Sequence, residues 1–255
     1  MVADDAARPS EAIEDYAKAI YALARRGDGT VTTNALAERL GVTAGSVSGM
    51  LKKLAERGLV NHKPYRGVQL TAEGERVALA VMRHHRLVEL YLAEHLGVPW
   101  DRVHEEAEAL EHVISEDLEA RIAAKLGNPT HDPHGDPIPD AALVIDEGAT
   151  CSLAEMQAGE RGRFVRVSDA DPEMLRYLDG RGIALGEELE VIDRQPFEGP
   201  LTVRFGSQQH VLGGGLARAM RIDVAAARAA HPSPSAARST PRSVSGSPHR
   251  VGSAA

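Results

Sequence analysis

The strongest constraint on the fold is the order of short periodic segments in the first 71 residues. Apolar residues recur at spacings of three and four over residues 11–25, 35–40 and 44–57, a period that predicts three helices. Gly41 follows the second segment, in the position where a left-handed residue often ends a helix. Residues 59–71 hold two short alternating stretches around a basic tip, which predicts a hairpin. This order predicts a winged helix-turn-helix domain.

The predicted third helix and the hairpin carry hydroxyl and basic side chains suited to a DNA backbone. Such groups mostly contact phosphate, so sequence discrimination would depend on a few base contacts, methyl packing and DNA shape. The alternative is that they only solvate an exposed helix and improve solubility. The residues predicted to contact DNA are Thr43, Ser46, Ser48, Lys52, Lys53, Lys63 and Arg66.

The net charge of −8 hides an uneven distribution along the chain. Residues 1–80 hold 11 Lys and Arg against 10 Asp and Glu, whereas residues 81–150 hold 5 against 15. The first part can therefore approach phosphate, and the acidic middle part can meet cations. A solvated acidic surface is the alternative for the middle part.

Several classes of protein are disfavoured by composition. No apolar run reaches about 18 residues, and the first thirty residues lack the basic and apolar stretches of a signal peptide, so we expect a cytoplasmic protein without a membrane span. Cys151 is the single cysteine. One thiol cannot form an internal disulfide or a thiolate cluster, so any metal must be held by His and carboxylate.

Residues 103–114 combine imidazoles and carboxylates beside an apolar stripe. On a continuous helix over 101–126, His104, Glu108, Glu111 and His112 would form one stripe next to the core. These groups would repel one another or be stranded unless a cation or a counter-charge joined them, and Lys and Arg are absent from 103–120. His85 and Glu89, four residues apart on the preceding helix, could face the same ligand, although such a pair alone is more often a surface ion pair.

These strings resemble the diphtheria-toxin-repressor family of metal-dependent transcriptional regulators, over roughly residues 10–225. The resemblance is carried by residues 80–87, 102–107, 111–115 and 135–139. It implies a regulatory metal site and an ancillary metal site. The regulatory site takes Asp15, Glu108, Glu111 and His112, and the ancillary site takes His85, Glu89 and His104.

The resemblance also bears on the identity of the metal. Asp15 stands where iron-responsive members have Met, and Glu108 stands where they have Cys. An oxygen-rich set with one imidazole suits Mn(II), so Mn(II) is the predicted cofactor and Fe(II) the alternative. This chain has Lys18 at a position where compact manganese-responsive members have a second acid. Asp169 or Asp171 could replace the ligands that longer members take from the C-terminal domain.

The predicted fold class is α+β, with four segments. These are a winged helix-turn-helix DNA-binding domain (1–72), an all-α metal-binding and dimerisation domain (73–147), a C-terminal SH3-like small β-barrel (148–225) and a disordered tail (226–255). The barrel is predicted from five short strands and one helix, and the tail from a composition without large apolar residues. Candidates for the dimer seam are Leu87, Tyr91, Leu96 and Trp100.

The implied function is a homodimeric repressor of metal-uptake and homeostasis genes that binds a palindromic DNA operator, with Mn(II) as corepressor. An iron-dependent repressor is the first alternative. A di-metal enzyme is a weaker one, because the sequence lacks a duplicated Glu-x-x-His pair and a nucleophile near the candidate ligands. A peptide-binding adaptor is disfavoured because aromatic residues are scarce in the C-terminal part.

Overall fold

The computed structural model describes residues 9–25, 29–63 and 67–224. Its N-terminal part consists of three helices followed by an antiparallel hairpin, so the predicted winged helix-turn-helix is confirmed. The elements are α1 (Glu11–Ala24), α2 (Thr33–Leu40), α3 (Ala44–Glu56), β1 (Val60–Lys63) and β2 (Gly67–Leu70).

Local side chains set the ends of the second and third helices. Thr32 precedes α2 and accepts a hydrogen bond from the Ala35 amide at 3.1 Å. Gly41 ends α2 at a φ of 65°, and Thr43 caps α3 by accepting from the Ser46 amide at 3.1 Å. These caps satisfy amides that a helix leaves free. They hold the turn that orients α3, while Leu36, Val47, Leu51 and Leu54 are buried beneath it.

The middle part is helical but contains one break that the sequence did not predict. It consists of α4 (Ala72–Leu96), α5 (Val103–Leu110) and α6 (Glu116–Lys125). The single helix predicted over residues 101–126 is therefore wrong. Ser115 accepts a hydrogen bond from the Leu118 amide at 3.3 Å and so starts a new helix. As a result, Glu111 and His112 lie in a turn between α5 and α6.

The C-terminal part is an antiparallel sheet with two short helices. Its elements are β3 (Cys151–Ser152), β4 (Arg161–Val167), α7 (Pro172–Asp179), β5 (Glu188–Arg194), β6 (Leu201–Phe205), β7 (Gln208–Leu212), α8 (Gly214–Ala219) and β8 (Met220–Asp223). The strand order is β3-β8-β4-β5-β6-β7. The α+β class is confirmed. The predicted SH3-like barrel is an open sheet among the described strands, since β3 and β7 at its two edges do not pair with each other.

The linker between α6 and β3 contacts both the N-terminal part and the C-terminal sheet. The Val167 amide of β4 donates to the His134 carbonyl at 2.9 Å. Glu147 forms ion pairs with Arg25 after α1 and with Arg166 of β4, both at 3.1 Å. This linker, residues 126–150, is therefore packed against both neighbouring parts of the chain.

Two of the dimer-seam candidates pack within the chain itself, Leu87 fully buried and Trp100 partly buried. Leu87 is 0% exposed and packs with Ile122 and Ile138, so its side chain is not free to meet a partner. Trp100 packs against the core of the C-terminal sheet. The predicted tail, residues 226–255, lies outside the described residues. None of the helices in the described ranges is long and apolar enough to cross a membrane.

Gly135 should be needed for the linker to approach β4. It has a φ of 83°, and a Cβ built there would lie 2.0 Å from the Val165 carbonyl oxygen. Gly148 has a φ of 62° with nothing within 4 Å of its Cβ position, so Gly148→Ala is a matched control. We expect Gly148→Ala to cost about 1–2 kcal/mol, the cost of left-handed backbone for an L-residue. Gly135→Ala should cost about 1–3 kcal/mol more through overpacking. Urea unfolding measures both, and equal losses would contradict the close approach.

Candidate metal centre

The turn after α5 brings a first cluster of ligand-type atoms together with α1. His112 Nε2 lies 3.0 Å from Asp15 Oδ1 and 3.3 Å from Glu111 Oε1. One ligand atom from each of these three residues lies within 4.8 Å of the others. Asp15 belongs to α1 in the winged helix-turn-helix, whereas Glu111 and His112 belong to the middle part. A cation bound here would join the two.

Glu14 orients His112, a role that the sequence analysis missed. His112 Nδ1 lies 2.6 Å from Glu14 Oε2, and Glu14 is buried. A carboxylate on one ring nitrogen fixes the imidazole and leaves the other nitrogen, here Nε2, free to face Asp15. The available signal was helical phase, because Glu14 lies three residues from the fully buried Ala17.

A second cluster combines α4, α5 and the C-terminal part. His85 Nε2 lies 3.0 Å from Glu89 Oε1 and 3.1 Å from His104 Nδ1. Asp169, in the loop after β4, approaches His104 Nδ1 to 2.9 Å. Asp171 instead caps α7 by accepting from the Glu173 amide at 2.9 Å. Of the two acids considered from the sequence, Asp169 therefore faces this cluster.

Glu108 lies between the two clusters instead of joining Asp15. Its side chain is 56% exposed, and its Oε1 lies 3.5 Å from His104 Nε2. Hydrogen bonding to His104 lowers the pKa of Glu108 to about 2. Conversely, the hydrogen bonds to Asp169, Glu108 and Glu89 raise the pKa of His104 to about 12, despite the opposing effect of burial.

A further histidine, absent from the sequence prediction, reaches Glu89 from the other side. His134 is fully buried, and its Nε2 donates to the Trp100 carbonyl at 2.7 Å. Its Nδ1 has no hydrogen-bond partner among the described residues and lies 4.0 Å from Glu89 Oε1. Glu89, Asp132 and His134 also form a set with metal-ligand spacing.

The unpartnered Nδ1 of His134 indicates whether a metal fits beside Glu89. With Nε2 protonated towards Trp100, Nδ1 of His134 presents a lone pair that is buried beside two carboxylates. Burying an acceptor without a partner costs about 1–3 kcal/mol, and a cation would use that lone pair. The donors in all three sets are carboxylate oxygens and imidazole nitrogens, a chemistry that suits a divalent first-row metal.

Glu111 links the two clusters. It is 1% exposed, and its Oε2 lies 2.5 Å from His85 Nδ1. Lys18 Nζ donates to both carboxylate oxygens, at 2.7 and 2.9 Å. Burial raises the pKa of Glu111, but the His85 hydrogen bond and the Lys18 charge outweigh burial and lower it. A cavity of about 620 Å³ opens beside both clusters.

Five of the predicted DNA contacts lie at the start and on the exposed side of α3. Thr43 and Ser46 are exposed and share a hydrogen bond of 2.9 Å between their hydroxyls. The Ser48 hydroxyl donates to the Ala44 carbonyl at 2.9 Å, and Lys52 and Lys53 are exposed. Lys63 ends β1, whereas its side chain and all of Arg66 lie outside the described residues.

Three family models match this chain in succession. Residues 9–68 match the N-terminal DNA binding domain of iron dependent repressors. Residues 71–140 match the iron dependent repressor metal binding and dimerisation domain, and residues 151–224 match the FeoA domain.

Curated relatives and solved structures agree with these matches. The chain is 33% identical over 220 residues to the diphtheria toxin repressor of Corynebacterium efficiens, covering 82% of this chain and 94% of the relative. It is 32% identical to the iron-dependent repressor IdeR of Mycobacterium tuberculosis, covering 82% and 96%. A structure described as a manganese-dependent transcriptional repressor in complex with manganese has 44% identity and a TM-score of 0.79, covering 83% of this chain and 99% of that one. The manganese regulator SloR has 32% identity and a TM-score of 0.70, covering 83% and 98%.

Metal binding at the second cluster should release a proton at pH 7. With a pKa of about 12, His104 is charged in the metal-free protein, whereas a metal-bound imidazole must be neutral. Glu108, with its lowered pKa, is already ionised and has no proton to lose. Hydrogen bonds to Glu111 and Glu89 also raise the pKa of His85 despite its burial, so His85 can lose a proton as well. We therefore expect at least one proton per divalent metal bound at this cluster, measured by titration calorimetry in two buffers of different ionisation enthalpy.

The matched variants for this measurement are two histidine substitutions. His104→Gln should reduce the release by about one proton, whereas His95→Gln, an exposed position at the end of α4, should leave it unchanged. Heats that do not depend on the buffer in the parent protein would contradict the charged His104.

Proposed function

This chain belongs to the iron-dependent repressor family, and we propose that Mn(II) is the metal that activates it. The chain carries both a DNA-binding domain and a metal-binding and dimerisation domain. It is therefore a metal-dependent transcriptional repressor that binds DNA as a dimer, and not an enzyme. The observation that best supports manganese is the oxygen-rich cluster of Asp15, Glu111 and His112, which joins the two domains.

We assign the candidate ligands to two sites. Asp15, Glu108, Glu111 and His112 hold the regulatory metal, with Glu108 turning from His104 towards the cluster when the metal binds. His85, Glu89 and His104 hold the ancillary metal together with Asp169. Asp132 and His134 supply further donors on the inner side of Glu89.

The choice of manganese over iron depends on the donor atoms. Oxygen donors at Asp15 and Glu108 favour a harder cation than a thioether and a thiolate would. A relative with 44% identity is described as manganese-dependent, which supports the same choice. Fe(II) is the second candidate, because the curated relatives with 32–33% identity include an iron-dependent repressor.

The regulatory metal would act through the position of α1. The metal would supply two positive charges, and Asp15 of α1 would bind it together with Glu111 and His112 in the turn after α5. Fixing α1 against the dimerisation domain sets the spacing of the two α3 helices in the dimer, and a palindromic operator requires that spacing to be about one DNA turn. The metal therefore controls DNA affinity without touching DNA.

The DNA contacts and the cellular location belong to the same proposal. Thr43, Ser46 and Ser48 contact the operator together with Lys52 and Lys53 of α3, and Lys63 and Arg66 contact it from the wing. The regulated genes are those of metal uptake and homeostasis. We place the protein in the cytoplasm, where its operator and the metal that it senses are both accessible.

Mn(II) should raise operator affinity by about 5–150-fold over protein in chelator, the usual scale of coupling between two ligands. Asp15→Ala should abolish this gain because it removes the α1 ligand, and Glu89→Ala should reduce it partly. Glu38→Ala, an exposed acid on α2, is the charge-matched control. Fluorescence anisotropy with an operator duplex measures each affinity.

Two outcomes would contradict the proposal at different levels. Equal operator affinity in chelator and in Mn(II) would remove metal activation altogether. A normal Mn(II) response in Asp15→Ala, with no effect of Glu89→Ala, would show that the two sites are wrongly assigned.

The metal preference should follow the donors at two positions. Asp15→Met combined with Glu108→Cys introduces a thioether and a thiolate, so activation should shift from Mn(II) towards Fe(II), Co(II) or Ni(II). Anaerobic operator-binding titrations with each metal measure the shift. Glu11→Met with Glu105→Cys, at exposed positions on the same two helices, is the control. A double variant that still prefers Mn(II) would refute this explanation of the preference.

A further inference from the structure

Lys18 places a positive charge at the candidate regulatory site. Its ammonium donates to both oxygens of Glu111, at 2.7 and 2.9 Å, and lies 4.0 Å from Glu108 Oε1. The side chain is 21% exposed, whereas that of Glu111 is 1% exposed. This is a largely buried ion pair with two-point contact, which is stronger than a surface pair.

The ammonium covers the atoms that a metal would need. Glu111 Oε2 is already 2.5 Å from His85 Nδ1, and Glu111 Oε1 faces His112 Nε2 at 3.3 Å. Lys18 contacts both of these oxygens. A cation cannot enter between Glu111 and Asp15 at bonding distance while an ammonium of the same sign remains on the carboxylate.

We propose that Lys18 is a tethered counter-ion that competes with the regulatory metal for Glu111 and so sets the metal concentration at which the repressor is activated. This inference rests on the proposed function and deepens it. In the metal-free protein, the ion pair neutralises a buried carboxylate that would otherwise be costly. On activation, the metal displaces the ammonium from Glu111, and the lysine side chain turns towards solvent.

Lys18, like the proposed regulatory metal, connects α1 to the turn after α5. Asp15 and Lys18 are three residues apart on α1 and therefore lie on one face of that helix. Lys18 joins α1 to Glu111 in the metal-free protein, and Asp15 would join α1 to the same turn through the metal. The two contacts exclude each other only at Glu111, so removing the ammonium favours the metal-bound arrangement.

The test compares metal affinity and metal-free stability in the full chain. Lys18→Met removes the charge while keeping the length, and Lys18→Gln removes the charge while keeping a donor for Glu111. Lys125→Met, at an exposed position on α6, removes one charge far from the clusters. Electron paramagnetic resonance of free Mn(II) measures binding without DNA, and thermal unfolding in chelator measures stability.

Both Lys18 variants should bind Mn(II) at least about fivefold more tightly than the parent, the lower end of ordinary coupling, while their metal-free Tm falls. A merely structural lysine would not produce these opposite signs, because losing it would weaken both. In an Asp15→Ala background the gain from Lys18→Met should vanish, which assigns it to the regulatory site. Lys125→Met should behave like the parent.

Unchanged or weaker Mn(II) binding in both Lys18 variants would overturn the inference. If Lys18→Met does not fold, Lys18→Gln alone decides the question. A parent protein that binds no Mn(II) would overturn the proposed function as well. A parent that binds Mn(II) and responds to it, alongside variants that bind it equally, would overturn only the role of Lys18.

Discussion

The structure around the candidate metal centre depends on one buried carboxylate, that of Glu111. Its side chain is 1% exposed, and removing a charge from water costs several kcal/mol unless partners compensate. The compensation comes from Lys18 of α1 and His85 of α4, both distant in sequence. Because these two partners stabilise the buried charge, the carboxylate connects the first helix to the long fourth helix.

Helix α1 contacts the buried Glu111 carboxylate and shares an apolar core with helix α3. One face of α1 carries Ile13 and Ile20, which pack in the core that also holds Val47 of α3. The adjoining face carries Asp15 and Lys18, which reach the turn after α5. A close-packed core transmits displacement instead of absorbing it, so the cation exchange proposed at Glu111 would move α3 together with α1.

The C-terminal sheet takes part in the site as well. Asp169 reaches His104, and Arg166 holds Asp136 and Glu147 of the linker. The second cluster is thus completed by a residue of the C-terminal domain. The hydrogen bond from His104 to Asp169 is the largest of the contributions that raise the pKa of His104 to about 12, so the position of this domain is coupled to the protonation of a candidate ligand.

Local sequence patterns predicted the first four helices and the hairpin, because apolar periodicity acts within a few residues. They missed the cap at Ser115, which divides residues 101–126 into two helices. The resemblance to a family named the candidate ligands, and the charge split indicated an acidic centre. Only the tertiary structure determined which distant side chains contact these candidate ligands. Glu14 and His112 are 98 residues apart, and Lys18 and Glu111 are 93 apart. Periodicity shows which face of a helix is buried, but not which distant groups share that burial. For the same reason, only the folded structure shows that Nδ1 of His134 has no hydrogen-bond partner among the described residues and that the sheet is open.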